Sequence, residues 1–189
     1  VVNASSEENM TCVNGMSYHD RDGENSNAAI IVTIGEEIYG NNLLDGMRFQ
    51  RKIEKKTYNL TKGDVPVQKF IDFKENIETT DLGDVKPCIE SAYKLANLRG
   101  IYPAAIDKMV IKAIDYMGNR LSGFSDNDAI LSGVETRSSS PIRMIRDEEN
   151  KSKDISNLYV IGEGSGHSGG IVSSAVDGIK TAEAILARK

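Results

Sequence analysis

Five glycines fall within nine residues, in the run Gly162-Glu163-Gly164-Ser165-Gly166-His167-Ser168-Gly169-Gly170. Glycine accepts positive φ and leaves no Cβ in the way of a flat or charged ligand. The flanking residues would aim such a loop. Leu158, Tyr159, Val160 and Ile161 read as a short buried strand before it. After it, Ile171, Ala175, Ile179, Ala182 and Ile185/Leu186 share one helical face. The free N–H groups and positive dipole end of that helix would point into the loop, a common way of holding an anionic group.

Two short patterns overlap here. Gly164, Gly166 and Gly169 form Gly-x-Gly-x-x-Gly, the dinucleotide fingerprint, after a strand and at the start of a helix. That fingerprint also needs a second strand with an acidic end about 20 residues further on. The sequence stops at Lys189, so the unit reads as a last strand–helix pair and not as the first βαβ of a complete dinucleotide domain. Gly166, Ser168 and Gly170 form Gly-x-Ser-x-Gly, which would make Ser168 the nucleophile of a serine hydrolase. In those enzymes the acid and the histidine follow the serine. Here no histidine follows; His19 lies upstream, and His167 is adjacent and too close to serve as base in the usual geometry. The bland alternative is a binding or packing module whose loop is a plain strand–helix connection without ligand. Five glycines in nine exceed what a plain turn requires.

Elsewhere the chemistry is sparse. His19 and His167 are the only histidines, and Cys12 and Cys88 the only cysteines. Their spacing gives no metal site, no disulfide framework and no Cys-x-x-Cys motif, and a reduced cytoplasmic setting is the simplest expectation. His19 with Asp20 and Asp22 is a candidate acid–base group, but the segment is turn-like, so the catalytic residues stay unknown. Arg137, Arg143 and Arg146 could serve a phosphate or a carboxylate, or form a solvated strand face. Four Asn-x-Ser/Thr triplets begin at Asn3, Asn9, Asn59 and Asn150; patterns this short arise by chance.

The chain has 189 residues, 39% hydrophobic and 27% charged, enough for a buried core and too apolar for disorder. Net charge is −5 and the isoelectric point about 5.2. That argues against nucleic acid, which needs a clustered positive field. No apolar run approaches the roughly 20 residues of a membrane span. The opening Val1-Val2-Asn3 has neither the basic nor the apolar region of a signal peptide, and no initiator Met. A piece of a longer protein is expected.

Along the chain, residues 1–27 are polar, with a short strand within 11–18, and residues 28–34 suit a buried strand. A helix is expected over 42–60, with Phe49, Ile53, Thr57 and Leu60 on one face and Asn41 or Asn42 as its cap. Residues 60–100 read mostly as loop, with a short element near 67–73. A second helix is expected over 103–121, started by Pro103 and striped by Ile106, Met109/Val110, Ala113/Ile114, Met117 and Leu121. Strands are expected at 129–136 and, as its partner, at 141–146. The class is α+β.

Three separated motifs in the right order resemble a family of FAD-dependent oxidoreductases often labelled NAD-utilizing dehydrogenases. They are Asn14-Gly15-Met16-Ser17 with Arg21-Asp22-Gly23-Glu24-Asn25; Gly133-Val134-Glu135-Thr136-Arg137-Ser138-Ser139-Ser140-Pro141-Ile142-Arg143; and Leu158 to Gly164 with Gly169-Gly170-Ile171 and Ala175-Val176-Asp177-Gly178. The resemblance covers most of the chain and is weakest over 60–100. It implies a longer flavoprotein whose missing N-terminal half grips the ADP part of FAD, with NAD(P)H as co-substrate. Residues 1–130 would be an inserted substrate-side region, and 131–189 the closing strand, loop and helix of a Rossmann-like FAD-binding sheet. The implied cofactor contacts are Gly162, Glu163, Gly164, Gly166, Gly169, Gly170 and Ile171, with Arg137 and Ser139 near the flavin. Glu163 or its backbone would face the ribityl chain or pyrophosphate. Gly169, Gly170 and Ile171 would present N–H groups to the flavin pyrimidine oxygen. The plain reading of Glu135-Thr136-Arg137 is a strand with a surface ion pair.

Overall fold

The computed structural model describes residues 1–5 and 7–187. The chain divides into two compact units. The first comprises residues 1–34 and 50–136; the second comprises 35–49 and the chain from Arg137 onward. Helices and a mixed sheet give the α+β class expected.

The first unit is built on a central strand, β3 (Val65–Lys69), whose first four residues are all buried. A strand buried on both faces reads as a continuous run, here Val-Pro-Val-Gln, without alternation. β4 (Tyr93–Leu95) lies parallel to it, with Val67 opposite Leu95. β5 (Ile130–Ser132) lies antiparallel on the other side, with Val67 opposite Ser132. Val65, Val67 and Val13 form the core, against which Val1, Leu82, Ile89, Leu95 and Ile130 lie. Val13 belongs to β2 (Val13–Asn14), which pairs with β1 (Val2–Asn3). The strand expected within 11–18 shrinks to these two residues.

The segment expected as one element near 67–73 is two. β3 gives way at once to helix α3 (Phe70–Glu75), which buries Phe70 and Phe73 at helical spacing and ends on the left-handed Asn76. Residues 28–34 form no strand, and Ile31 stands 67% exposed. The run is apolar enough, but nothing among the described residues offers it a ladder, and a strand without a neighbour leaves its own N–H and C=O groups unpaired.

Two long helices match expectation closely. α2 runs Asp45–Thr61, with Asn42 donating from its backbone and side chain to the Asp45 carboxylate. Its inner face is polar: Glu54, Thr57 and Thr61 are buried beside Ile53, whereas Leu60 is exposed. The threonine hydroxyls return to backbone carbonyls, Thr57 to Ile53 at 2.9 Å and Thr61 to Asp64 at 2.6 Å, so burial leaves them satisfied. α4 runs Ala104–Gly118 behind Pro103 and buries Ile106, Asp107 and Ile114; Met109 and Leu121 of the expected stripe are exposed.

Gln68 holds the first unit's longest loop. Its Oε1 accepts the Leu98 N–H at 2.7 Å, and its Nε2 donates to Ile77 O and Asn97 Oδ1. The side chain is fully buried. Gln68→Leu is nearly isosteric but strands the buried Leu98 N–H, so we expect a loss of about 1–3 kcal/mol, read from urea denaturation of the full-length protein. An unchanged midpoint would remove Gln68 as the loop's anchor.

The second unit holds one short helix, α1 (Glu36–Tyr39), and one long one, α5 (Ile171–Ala187). Two expected strands are absent as ladders. Residues 141–146 carry only the isolated bridge of Arg146 to Ser152, and residues 158–161 only that of Tyr159 to Lys151. Val160 is buried, but Leu158 and Ile161 are exposed. No helix among the described residues is long and apolar enough to cross a membrane.

Candidate functional site

The glycine run lies in the second unit, and its backbone is set by two left-handed glycines. Gly162 has φ of 74° and opens a 3-10 turn over Glu163–Ser165; Gly166, with φ of 79°, closes it, its N–H reaching Glu163 O at 2.9 Å. Ser165 is buried and ties the turn together, its hydroxyl donating to Gly162 O at 2.6 Å. The segment before it is stitched to the turn. Met144 N donates to Ser165 O at 3.0 Å, and His167 Nε2 donates to Met144 O at 2.8 Å. His167 Nδ1 is then left to accept from Arg143, 3.4 Å away. Ser168 Oγ meets Ser174 Oγ at 3.1 Å. His167 and Ser168 therefore engage different partners.

One carboxylate fixes the loop to the helix that follows. Asp177 on α5 takes a two-pronged contact from Arg146, 2.8 and 2.9 Å, and accepts the Gly162 N–H at 2.9 Å. Arg146 also donates to Val160 O at 2.7 Å. Asn150, left-handed with φ of 65°, donates to Asp177 and to the buried Thr181 hydroxyl. The Arg146 hydrogen bonds, with help from the Gly162 N–H, outweigh burial and hold the Asp177 carboxyl down to about 2. The arginine that could have served a ligand anion is thus committed to an internal one. Asp177 lay inside the third motif, but nothing in its spacing marked it as the latch; Arg146 and Asn150 lie outside that motif altogether.

The five glycines separate by cause. Gly162 and Gly166 need positive φ. Gly166 also lacks room, since a Cβ there would strike Ile142 O and come within 2.8 Å of Arg143 Cα. Gly164, Gly169 and Gly170 have neither reason. None has positive φ. A Cβ at Gly164 or Gly169 would meet nothing within 4 Å, and one at Gly170 only Ser173 Oγ at 3.6 Å. Gly170's N–H is already held by that hydroxyl at 3.1 Å. The N–H groups still free for a ligand in the first turn of α5 are those a helix start always leaves, from Ile171 on.

Ser139, Gly166 and Gly169 share the lining of a small cavity of about 200 Å³, with Ser140, His167 and Ser168. Arg137, Gly162, Glu163, Gly164 and Ile171 are outside that lining. A wider depression of about 820 Å³ is lined by residues 146–150, Lys153 and His167. It is charged and open, and its arginine is bound to Asp177. His19, Asp20 and Asp22 are exposed, and no cluster able to hold a metal ion occurs among the described residues. Cys12 is buried and Cys88 exposed, both free thiols.

A family model described as "FAD-dependent protein, C-terminal domain-like" matches residues 1–138. The matched residues end before the glycine run. An uncharacterized protein of Clostridium beijerinckii is 41% identical over 189 residues, spanning 98% of this chain. The match occupies 36% of that protein's length, so the chain spans about a third of the relative it matches. With most of its residues matched, the chain belongs to the family of FAD-dependent proteins, in their C-terminal domain-like part.

Proposed function

We propose that residues 131–189 supply the closing half of an FAD site in a longer flavoprotein oxidoreductase, and that residues 1–130 form its substrate side. The observation that carries this is the trio Gly164, Gly169 and Gly170, whose missing side chains nothing within the chain requires. A bare backbone facing open space, beside a helix start, is what close approach of a flat, partly anionic group demands. Family membership supplies the group: FAD. Bound FAD contributes two-electron redox chemistry, with NAD(P)H the hydride source that the resemblance implies.

The chain's own residues bind and polarise. Gly164 and Gly169 leave room for the cofactor. The N–H groups from Ile171 on, at the positive end of α5, favour negative charge on the flavin pyrimidine oxygen. Gly170 contributes its bare α-carbon, because its N–H is already bound to Ser173. Glu163 and Ser139 flank this surface, and Arg137 is assigned to it by resemblance only.

The test uses the full-length protein. Wild type is expected to purify with flavin absorbance. Gly164→Val and Gly169→Val should fold normally yet bind FAD about 10- to 100-fold more weakly, the range expected when one to three kcal/mol of steric cost falls on the ligand. A wild-type protein that is colourless and takes up no added FAD would sink the proposal, as would full FAD retention in both variants. The 189-residue piece alone should hold FAD weakly after gel filtration, since the ADP-gripping half lies outside it.

A further inference from the structure

α5 is folded with its polar side inward. The residues it shields are Ser174, Asp177, Gly178, Thr181 and Ala184, a stripe of small and polar side chains at three- and four-residue spacing. The large apolar residues face out. Ile171 is 92% exposed, Val172 76%, Ile179 60% and Leu186 63%, and Ala175, Val176, Ala182 and Ile185 share that side. Ser173 and Lys180 mark a third, polar strip. A surface helix ordinarily buries its apolar stripe; here the second unit takes the opposite side through the Arg146–Asp177–Asn150 contacts, and the apolar stripe has nothing on it among the described residues. Contiguous exposed apolar surface of this kind marks an interaction face.

The neighbouring segment is unfilled in the same way. Residues 158–161 have strand-like sequence but only one bridge. Ile161 reaches α5, its Cδ1 lying 3.9 Å from where a Cβ on Gly178 would be. An extended segment lacking a ladder, followed by a helix lacking an apolar floor, is a strand–helix pair lacking a sheet.

We propose that the outward face of α5, from Ile171 to Leu186, docks on an apolar sheet surface in the part of the same polypeptide outside residues 1–189, with residues 158–161 adding to that sheet as a strand. The occupant is the same chain because the relative that matches 98% of this sequence has 64% of its length (100% less the 36% matched) beyond the match. This rests on the reading above, that the segment closes a larger cofactor domain, and it adds which face makes the interface.

The experiment measures coverage, not activity. Ile179→Cys, Leu186→Cys and, as a control on the polar strip, Lys180→Cys are made in the full-length protein. Maleimide labelling is followed site by site by mass spectrometry, with and without FAD and across a dilution series. The cysteine at 180 should label freely, and those at 179 and 186 about 100-fold more slowly, as expected when labelling waits on local opening. Hydrogen exchange along wild-type α5 gives the same readout without a substitution, should a variant misfold. Labelling at 179 and 186 as fast as at 180 overturns the proposal. So does protection lost on dilution, which would make the occupant a second copy. Protection in a protein that never binds FAD would sustain this interface and sink the cofactor reading; FAD bound while 179 and 186 label freely would do the reverse.

Discussion

Gly166→Ala in the full-length protein is expected to lower stability by roughly 2–6 kcal/mol, with a correspondingly earlier urea midpoint. Two costs add. A side chain at φ of 79° forces a left-handed backbone, about 1–3 kcal/mol for a residue that is not glycine. The new methyl would also press on Ile142 O and on Arg143 Cα, where overpacking costs about 1–3 kcal/mol. Both obstacles are backbone, so no rotamer change relieves them. The strand–loop register has little freedom to shift, because Met144 is bonded to Ser165 O and His167 to Met144 O. Gly164→Ala and Gly169→Ala, three residues or fewer away, meet no neighbour and should move the midpoint by less than about 1 kcal/mol. Equal midpoints for Gly166→Ala and Gly169→Ala would show that crowding at Gly166 is not what fixes the loop. The contrast also divides the run's glycines into those the fold needs and those a ligand would need, a distinction that counting glycines does not contain.

What the sequence discloses and what it hides follow physical lines. α2, α4 and α5 were legible because each spans four turns or more, long enough for a 3.6-residue repeat to stand out. β3 and β5 were legible only as short apolar runs. The failures share one cause. Residues 28–34, 141–146 and 158–161 have strand composition, yet a strand is completed by its neighbour, and composition does not say whether that neighbour lies in the same stretch of chain. Even the α5 stripe, located correctly as a periodic pattern, did not reveal its direction. Periodicity gives a face, not what the face meets, and here it meets nothing among the described residues.

The site was half legible for a similar reason. The glycine run and helix start are local in sequence, so they could be found there. The Arg146–Asp177 latch joins residues 31 apart, and Asn150 to Thr181 is the same distance. Arg146 stood among three candidate arginines for a phosphate or carboxylate. Only the fold shows that its carboxylate is internal, and that Arg143 turns toward His167 instead.

The latch carries the second large effect. Asp177→Asn should cost about 3–5 kcal/mol, because it leaves the nearly buried Arg146 guanidinium without its counter-charge, and stranding one member of such a pair is far worse than lacking both. It also weakens the acceptor for Gly162 N–H and Asn150, so the loss should concentrate between 146 and 181 and be visible as faster hydrogen exchange there. Arg146→Lys should recover only part of the stability, since an ammonium cannot present two parallel donors to one carboxylate. Replacing both partners, Arg146→Met with Asp177→Leu, should cost less than Asp177→Asn alone. The pH dependence has a fixed sign. Asp177 sits at about 2 in the folded chain against an ordinary value of 3.8, so its contribution is complete above about pH 4. It disappears as pH falls from 4 to 2, a loss on the order of 2 kcal/mol. Asp177→Asn should therefore remove that part of the acid sensitivity while leaving the protein weaker at neutral pH. If wild type and Asp177→Asn lose stability in parallel between pH 4 and 2, the carboxylate does not hold the loop on the helix, and the glycine run owes its shape to Gly162, Gly166 and Ser165 alone.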